Sequence, residues 1–438
     1  MNTLISNVTV VTMNTHMEVL FDAYISITDG KITAITKKPP KEQPETIIDG
    51  TGMVAMPGLV NCHSHLSETI LRNLLDDLGN REALETLLKM KDRMDHRSAK
   101  ASALLGITEC LRFGITSVSD LSEQPLAVAE AAAEAGIKAN IAPALQRFED
   151  ENEPFDFETD PSCRGLMELT KRWNGYDDGR ILVDCGIYAE YTSNYPLWES
   201  LAAYADEKGL GMQLHLDQQP EEVDSCVERT GLTPTELLDC HRLFAVPASA
   251  AGCGGLTEAE AKRLGKRGAS AVVLPIADGK AGRASADVGS LVRAGVNAAL
   301  GTDGAASGGN QDLFEAMRAV VNRERRAGKD AAAFPAQAAL LMATVCGAKA
   351  QRRSKQCGVL EVGMDADIIL VDFTAPHLTP CHNVLNGLVF SATGCDVAMT
   401  MVRGKPLYQN GKFTTVDALA MMNELTGYAI PRLQSDKT

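Results

Sequence analysis

The chain has no apolar run approaching the roughly 18 residues needed to span a bilayer, so a helical membrane protein is not expected. Its start, MNTLISNVTVVTMNTHMEVL, has no basic stretch followed by an apolar block and does not read as a secretory signal. Framework cysteine spacing is missing too. The 11 cysteines are scattered, odd in number and without C-x-x-C, which points to reduced thiols in a cytoplasm and away from redox chemistry. Positive charge is scarce: 42 Lys and Arg stand against 57 Asp and Glu, a formal charge of −15. A surface that negative repels phosphate backbones and anionic lipid, so no nucleic-acid or membrane partner is expected. There is no G-x-x-x-x-G-K-[ST], no G-x-G-x-x-G after a strand, no H-E-x-x-H and no G-x-S-x-G. The P-C-x-x-C that must accompany an H-x-E in cytidine-type zinc deaminases is absent as well. No internal repeat, low-complexity tract or long linker interrupts the chain.

What is present is ordinary globular composition, 45% hydrophobic and 23% charged over 438 residues, long enough for a barrel with additions. The first 55 residues read as short alternating strands, TLISNVTVV and YISITDGKITAIT, the second broken at the hairpin signal Asp29-Gly30. From Met56 the texture changes. MPGLVNCHSHL is a compact apolar strand ending in histidines, and helical patterns such as 99–113 and 125–135 follow, alternating with short apolar runs. Those runs fall at 115–118, 138–144, 181–187, 211–216, 248–253, 270–274 and 296–301. With the histidine strand they make eight, the number a (β/α)8 barrel needs. Beyond residue 357 strands and turns return in GVLEVG, ADIILVDF and VAMTMVRGKPLYQNGKF, with a hairpin signal at Asn410-Gly411. The expected architecture is α/β: a TIM-like barrel over 57–356, and a small β-sandwich domain built from 1–56 and 357–438.

Four residues carry the chemistry. His63 and His65 stand two apart on a strand, so both imidazoles project into one space, where a shared divalent metal would give them a reason to meet. Taken alone, an H-x-H is more often two polar residues at a strand end. His215 closes the apolar run GMQLHLD, and Asp303 closes NAALGTDGAAS, where a lone carboxylate would more often cap a helix. Together they are N and O ligands at the carboxyl ends of strands one, five and eight, the face where barrel enzymes keep their chemistry.

The chain resembles the amidohydrolase superfamily, in the branch of S-adenosylhomocysteine and methylthioadenosine deaminases and s-triazine chlorohydrolases. The matching stretches are MPGLVNCHSHLSETILRNLLDDL, LHLDQQPEEV, AGVNAALGTDGAASGGNQDLFEAMR, GVLEVGMDADIILVD and VLNGLVFSATGCDV, spread over essentially the whole chain. The resemblance implies that His63, His65, His215 and Asp303 bind one divalent metal, zinc or else iron, and that Asp303 takes a proton from the attacking water. It also suggests Glu82, Tyr188 and Gln218 as substrate contacts, and a homo-oligomer, dimer or tetramer.

The chain departs from that family in its acid–base set. Gln218 stands where the branch has a glutamate three residues after the strand-five histidine, and an amide cannot transfer a proton. The strand-six Ala-His-Cys-x-His-Leu motif reads Ala251-Gly252-Cys253-Gly254-Gly255-Leu256. Tyr188 replaces the strand-four histidine, and only Leu274-Pro275 remains of the strand-seven His-Asn-Pro. Tyr188, Glu190, Asp217 and Cys253 are candidates for new equipment, while Cys62, His96, His241 and His377 read as structural. The expectation is a metal-dependent hydrolase attacking a carbon of a small nitrogen-containing, heteroaromatic substrate, by deamination or by loss of another leaving group. A catalytically impaired protein that binds a small ligand on an inherited metal site is the alternative.

Overall fold

The computed structural model describes residues 2–41 and 44–435. Eight parallel runs form the barrel wall: β1 (Leu59–Ser64), β2 (Ile115–Ser122), β3 (Lys138–Pro143), β4 (Ile181–Val183 with Cys185–Gly186), β5 (Met212–Leu216), β6 (Ala248–Gly252), β7 (Ser270–Val273) and β8 (Asn297–Leu300). The two pieces of β4 join the halves, Ile181–Val183 pairing with β3 and Cys185–Gly186 with β5. Between β8 and β1 the ring is stitched by Asn61, whose Nδ2 donates to Thr302 Oγ1 at 2.8 Å, and by Asp303 N to His63 O at 3.1 Å. Both faces of these strands are covered, which is why they read as nearly continuous apolar runs. The helices between them show ordinary signals. Pro125–Ala135 opens on proline, ends on Gly136 at φ 87° and presents small alanines to the wall. Among the described residues no helix is long and apolar enough to cross a membrane.

Strands from both chain ends form one nine-stranded sheet. Met53–Pro57 is the joint: it runs parallel to Asn2–Val11 on one side and antiparallel to Ile368–Asp372 on the other. The expected two-layer sandwich is thus seen as one continuous hydrogen-bonded path, with its own core around Ile5, Val10, Ile25, Ile368 and Met399. Asp29-Gly30 and Asn410-Gly411 are hairpin turns, each pair at positive φ. GVLEVG is not a strand. It is an irregular segment tied back by Leu360 N to Thr12 O at 2.8 Å.

The floor of the barrel is polar. Lys138 is completely buried, and its Nζ reaches Asp365 Oδ2 at 2.7 Å and Asp367 Oδ2 at 2.5 Å. Both aspartates lead into Ile368–Asp372, so this cluster joins the wall to the terminal sheet. Arg353, also buried, donates to Asn140 Oδ1 and to the carbonyls of Ala139, Gly179 and Arg180. Polar chemistry below and apolar packing around leave the carboxyl ends of the strands as the open face.

Candidate active site

His63 lies inside β1, and His65 one residue past its end, with Cys62 turned outward toward the Gly347 carbonyl. His215 is in β5. Asp303 follows β8 in a left-handed conformation, φ 63°, a strained geometry for a residue other than glycine. Its flanks need to be small: a Cβ on Gly301 would stand 3.0 Å from His63 Cβ, and one on Gly304 3.1 Å from His65 Cβ. The ligand atoms of His63, His65, His215 and Asp303 all lie within 4.8 Å of one another, and all four residues are buried.

The hydrogen bonds around the rings decide what that cluster can hold. His65 Nδ1 is 2.6 Å from Leu121 O, and His215 Nδ1 is 2.8 Å from Tyr188 O. A carbonyl only accepts, so Nδ1 carries a proton in both rings, and in the neutral ring Nε2 turns its lone pair inward. The Nε2 atoms of His63 and His215 are then 3.1 Å apart, and those of His65 and His215 3.3 Å. Lone pairs that close repel unless a cation lies among them. Three imidazole nitrogens and one carboxylate suit zinc or iron.

The electrostatics tell the same story. Burial together with His215 and His65 holds His63 well below the ordinary imidazole range. Burial and His65 hold His215 at about 4. Burial also opposes charge on His65 but is outweighed by Glu68 and Asp303, which push it up to about 9. Against the same burial, the His65 hydrogen bond and the charges of His65, His63 and Arg283 keep Asp303 well below the usual carboxylate range. The cluster accommodates one added positive charge beside the Asp303 carboxylate, a demand that a metal ion would meet in place of the His65 proton.

The other predicted residues are distributed unevenly. The Tyr188 ring packs 4.6 Å from that of His215. Gln218 lies over Gly252, where an added Cβ would meet Gln218 Cγ at 2.6 Å. Glu82 is exposed on the helix Asn80–Lys91. Glu190 is buried and held by Arg229 at 2.9 Å, and Asp217 is buried against Thr235 Oγ1 at 2.6 Å. Burial raises the Cys253 thiol well above its ordinary range, and Sγ points at Ala250 O, so this cysteine is packing. His96, His241 and His377 each pair with a carboxylate, Glu130, Glu199 and Asp396, away from the cluster.

Four charged groups beside the cluster had no sequence signal. Arg283 Nη2 is 3.5 Å from Asp303 Oδ2, and Asp278 Oδ1 holds Arg283 Nε at 3.2 Å. Buried Glu68, three residues after His65, pairs with Lys91 at 2.6 Å. Both line a cavity of about 660 Å³ that also takes in Ser122, Glu123 and Leu145, on the side of β1 to β3. No motif marks a loop arginine or a helix lysine, because only the fold brings them here.

A closed parallel barrel that gathers nitrogen and oxygen ligands at the carboxyl ends of its strands is the architecture of a metal-dependent hydrolase, and this protein is of that class. Within it the chain belongs to the amidohydrolase family, whose model matches residues 54–407. It is 31% identical over 423 residues to a 5-methylthioadenosine/S-adenosylhomocysteine deaminase of Thermoanaerobacter pseudethanolicus, covering 96% of this chain and 97% of the relative. It is 33% identical over 422 residues to a 5'-deoxyadenosine deaminase of Methanosarcina acetivorans, with 96% of each chain covered. A zinc-bound adenosine deaminase of Xanthomonas campestris superposes with a TM-score of 0.91 at 28% identity over 99% of both chains. The zinc complex of an atrazine chlorohydrolase of Arthrobacter aurescens shares the fold at 24% identity, TM-score 0.89, over 97% of this chain and 99% of that one.

Proposed function

We propose that this protein hydrolyses a small nitrogen heterocycle at a ring carbon, with His63, His65, His215 and Asp303 as the metal ligands and Asp303 as the base. The observation that carries the reading is the convergence of three Nε2 atoms and one carboxylate, with two rings locked in the metal-binding tautomer. A divalent zinc or iron ion held there would lower the pKa of water toward neutrality and polarise the substrate. Asp303 Oδ1 accepts from Gly304 N at 2.8 Å, which leaves Oδ2 as the oxygen that takes the proton. Tyr188 walls the site beside His215, and Gln218 can hold a ring substituent by hydrogen bonds without giving up a proton. Glu82 is proposed as a third contact at the substrate's outer end. Since Gln218 and Gly252 supply no acid, the leaving group is one that departs without strong protonation, or an amine that receives the proton Asp303 has taken from water. We assign catalysis to the barrel, 57–356, and a supporting role to 1–56 with 357–438, in a cytoplasmic homo-oligomer. Nothing in the site favours a catalytically silent binding protein.

The test is metal content per chain, on protein purified without chelator. About one zinc or iron is expected, lost in His215→Ala and Asp303→Ala, with turnover abolished in Asp303→Asn. Metal-free wild-type protein after supplementation, or full turnover in Asp303→Asn, would overturn the assignment.

A further inference from the structure

Arg283 is a cation beside the cluster with an unanswered donor. Its Nη2 is buried and has no hydrogen-bond partner among the described residues, yet it lies 3.5 Å from Asp303 Oδ2. The guanidinium is clamped from behind. Asp278, itself buried, holds Nε at 3.2 Å, and the Arg283 backbone N–H donates to the Asp278 carbonyl at 2.8 Å. Ser285 Oγ keeps the second Asp278 oxygen at 3.3 Å.

The loop that carries Arg283 reaches this position because β6 continues into glycine. A Cβ on Gly254 would stand 2.1 Å from the Ala284 carbonyl oxygen, so any side chain there would expel the loop. The glycine stretch that lacks the family's histidines is therefore a seat for a different cationic group, delivered from after β7.

We propose that Arg283 is a substrate-binding residue, and that it selects an oxygen beside Asp303: a ring carbonyl or an anionic oxygen on the heterocycle, rather than an exocyclic amine. This inference rests on the proposed metal hydrolase. A guanidinium offers only donors and stays protonated throughout the working pH range. Whatever lies between its free edge and the cluster must accept hydrogen bonds. An amine conjugated to a heteroaromatic ring presents hydrogens there and leaves both partners unsatisfied. Charge points the same way. With a divalent ion in place, the ion and Arg283 outweigh Asp303 and Asp278 by one positive charge, which an anionic ligand cancels.

The test uses zinc-reconstituted protein and two probes on one ring, barbiturate and 2,4,6-triaminopyrimidine, titrated by calorimetry at mildly alkaline pH. Wild type should bind barbiturate roughly tenfold or more tighter than the triamine, as expected for a lost charge-assisted hydrogen bond. Arg283→Met should erase that preference while zinc stoichiometry is unchanged. Arg283→Lys, which keeps the charge but not the fork, should retain part of it. Equal affinities, a preference for the triamine, no barbiturate binding, or an undiminished preference in both variants overturns the inference when one zinc per chain is present. Absence of zinc from the wild type would instead sink the metal-site reading, and this inference with it.

Discussion

At the scale of single residues, the pocket has been rebuilt by subtraction. Gly252 sits at φ 98°, and its missing side chain is the space into which Gln218 folds. A substitution at 218 alone therefore leaves the glycine at 252 and the rest of this arrangement in place. Gln218→Glu alone should yield no robust deamination of adenosine-type substrates, and vigorous ammonia release by that variant would refute the reading of altered chemistry. Gly252→His should lower stability by about 1–3 kcal/mol, through the clash with Gln218 and the left-handed backbone. A denaturation midpoint equal to wild type would count against that packing. The convergence of His63, His65, His215 and Asp303 was legible in sequence because a strand's period of two puts His63 and His65 on one face, and because apolar strands end where barrel chemistry sits. Arg283 was not legible, since its contact depends on a loop docking against Gly254, which no periodicity encodes.

At the scale of elements, the run of apolar segments revealed all eight barrel strands, within a few residues of their observed ends. It misread GVLEVG, a loop in which Leu360 packs into the core while Val362 is exposed. Helix signals were more local. Asp95 caps His96–Arg112 through Ser98 N at 2.9 Å, and also accepts from Tyr428 Oη at 2.6 Å beside Arg432 at 3.0 Å. Burial raises its pKa, but these contacts prevail and hold it at about 2, below the ordinary 3.8. An acid held below its unfolded value adds stability above the unfolded pKa and loses it as pH falls through the folded one. Asp95→Asn keeps a cap without the charge. The wild-type advantage over this variant should be steady above about pH 5 and vanish near pH 2, read from denaturant midpoints. An advantage that persists into the acid limit would exclude this linkage.

At the scale of the whole molecule, the polar floor fastens the barrel to the terminal sheet. Lys138 bridges Asp365 and Asp367; Asp365 also keeps Lys31 at 2.8 Å, so removal of Lys138 takes the paired cation from buried Asp367 and half of the charge pairing from Asp365. Lys138→Met should cost about 3–5 kcal/mol, and the triple variant with Asp365→Asn and Asp367→Asn should recover much of the loss. A single variant as stable as wild type would show that the floor carries no such role. Sequence patterning indicated that both ends build one β unit, but not that Met53–Pro57 makes it a single sheet, because edge partners are chosen by tertiary geometry.

That shared sheet has a consequence during synthesis. Lys31 waits for Asp365, its partner 334 positions later, and Met53–Pro57 likewise stands without its neighbour Ile368–Asp372. At about 5–20 residues per second, the amino-terminal strands spend roughly 20–70 s as an open, pairing-competent edge. Native assembly is therefore largely post-translational. A chain truncated before residue 368 would keep that edge exposed for good, and its fate would be aggregation.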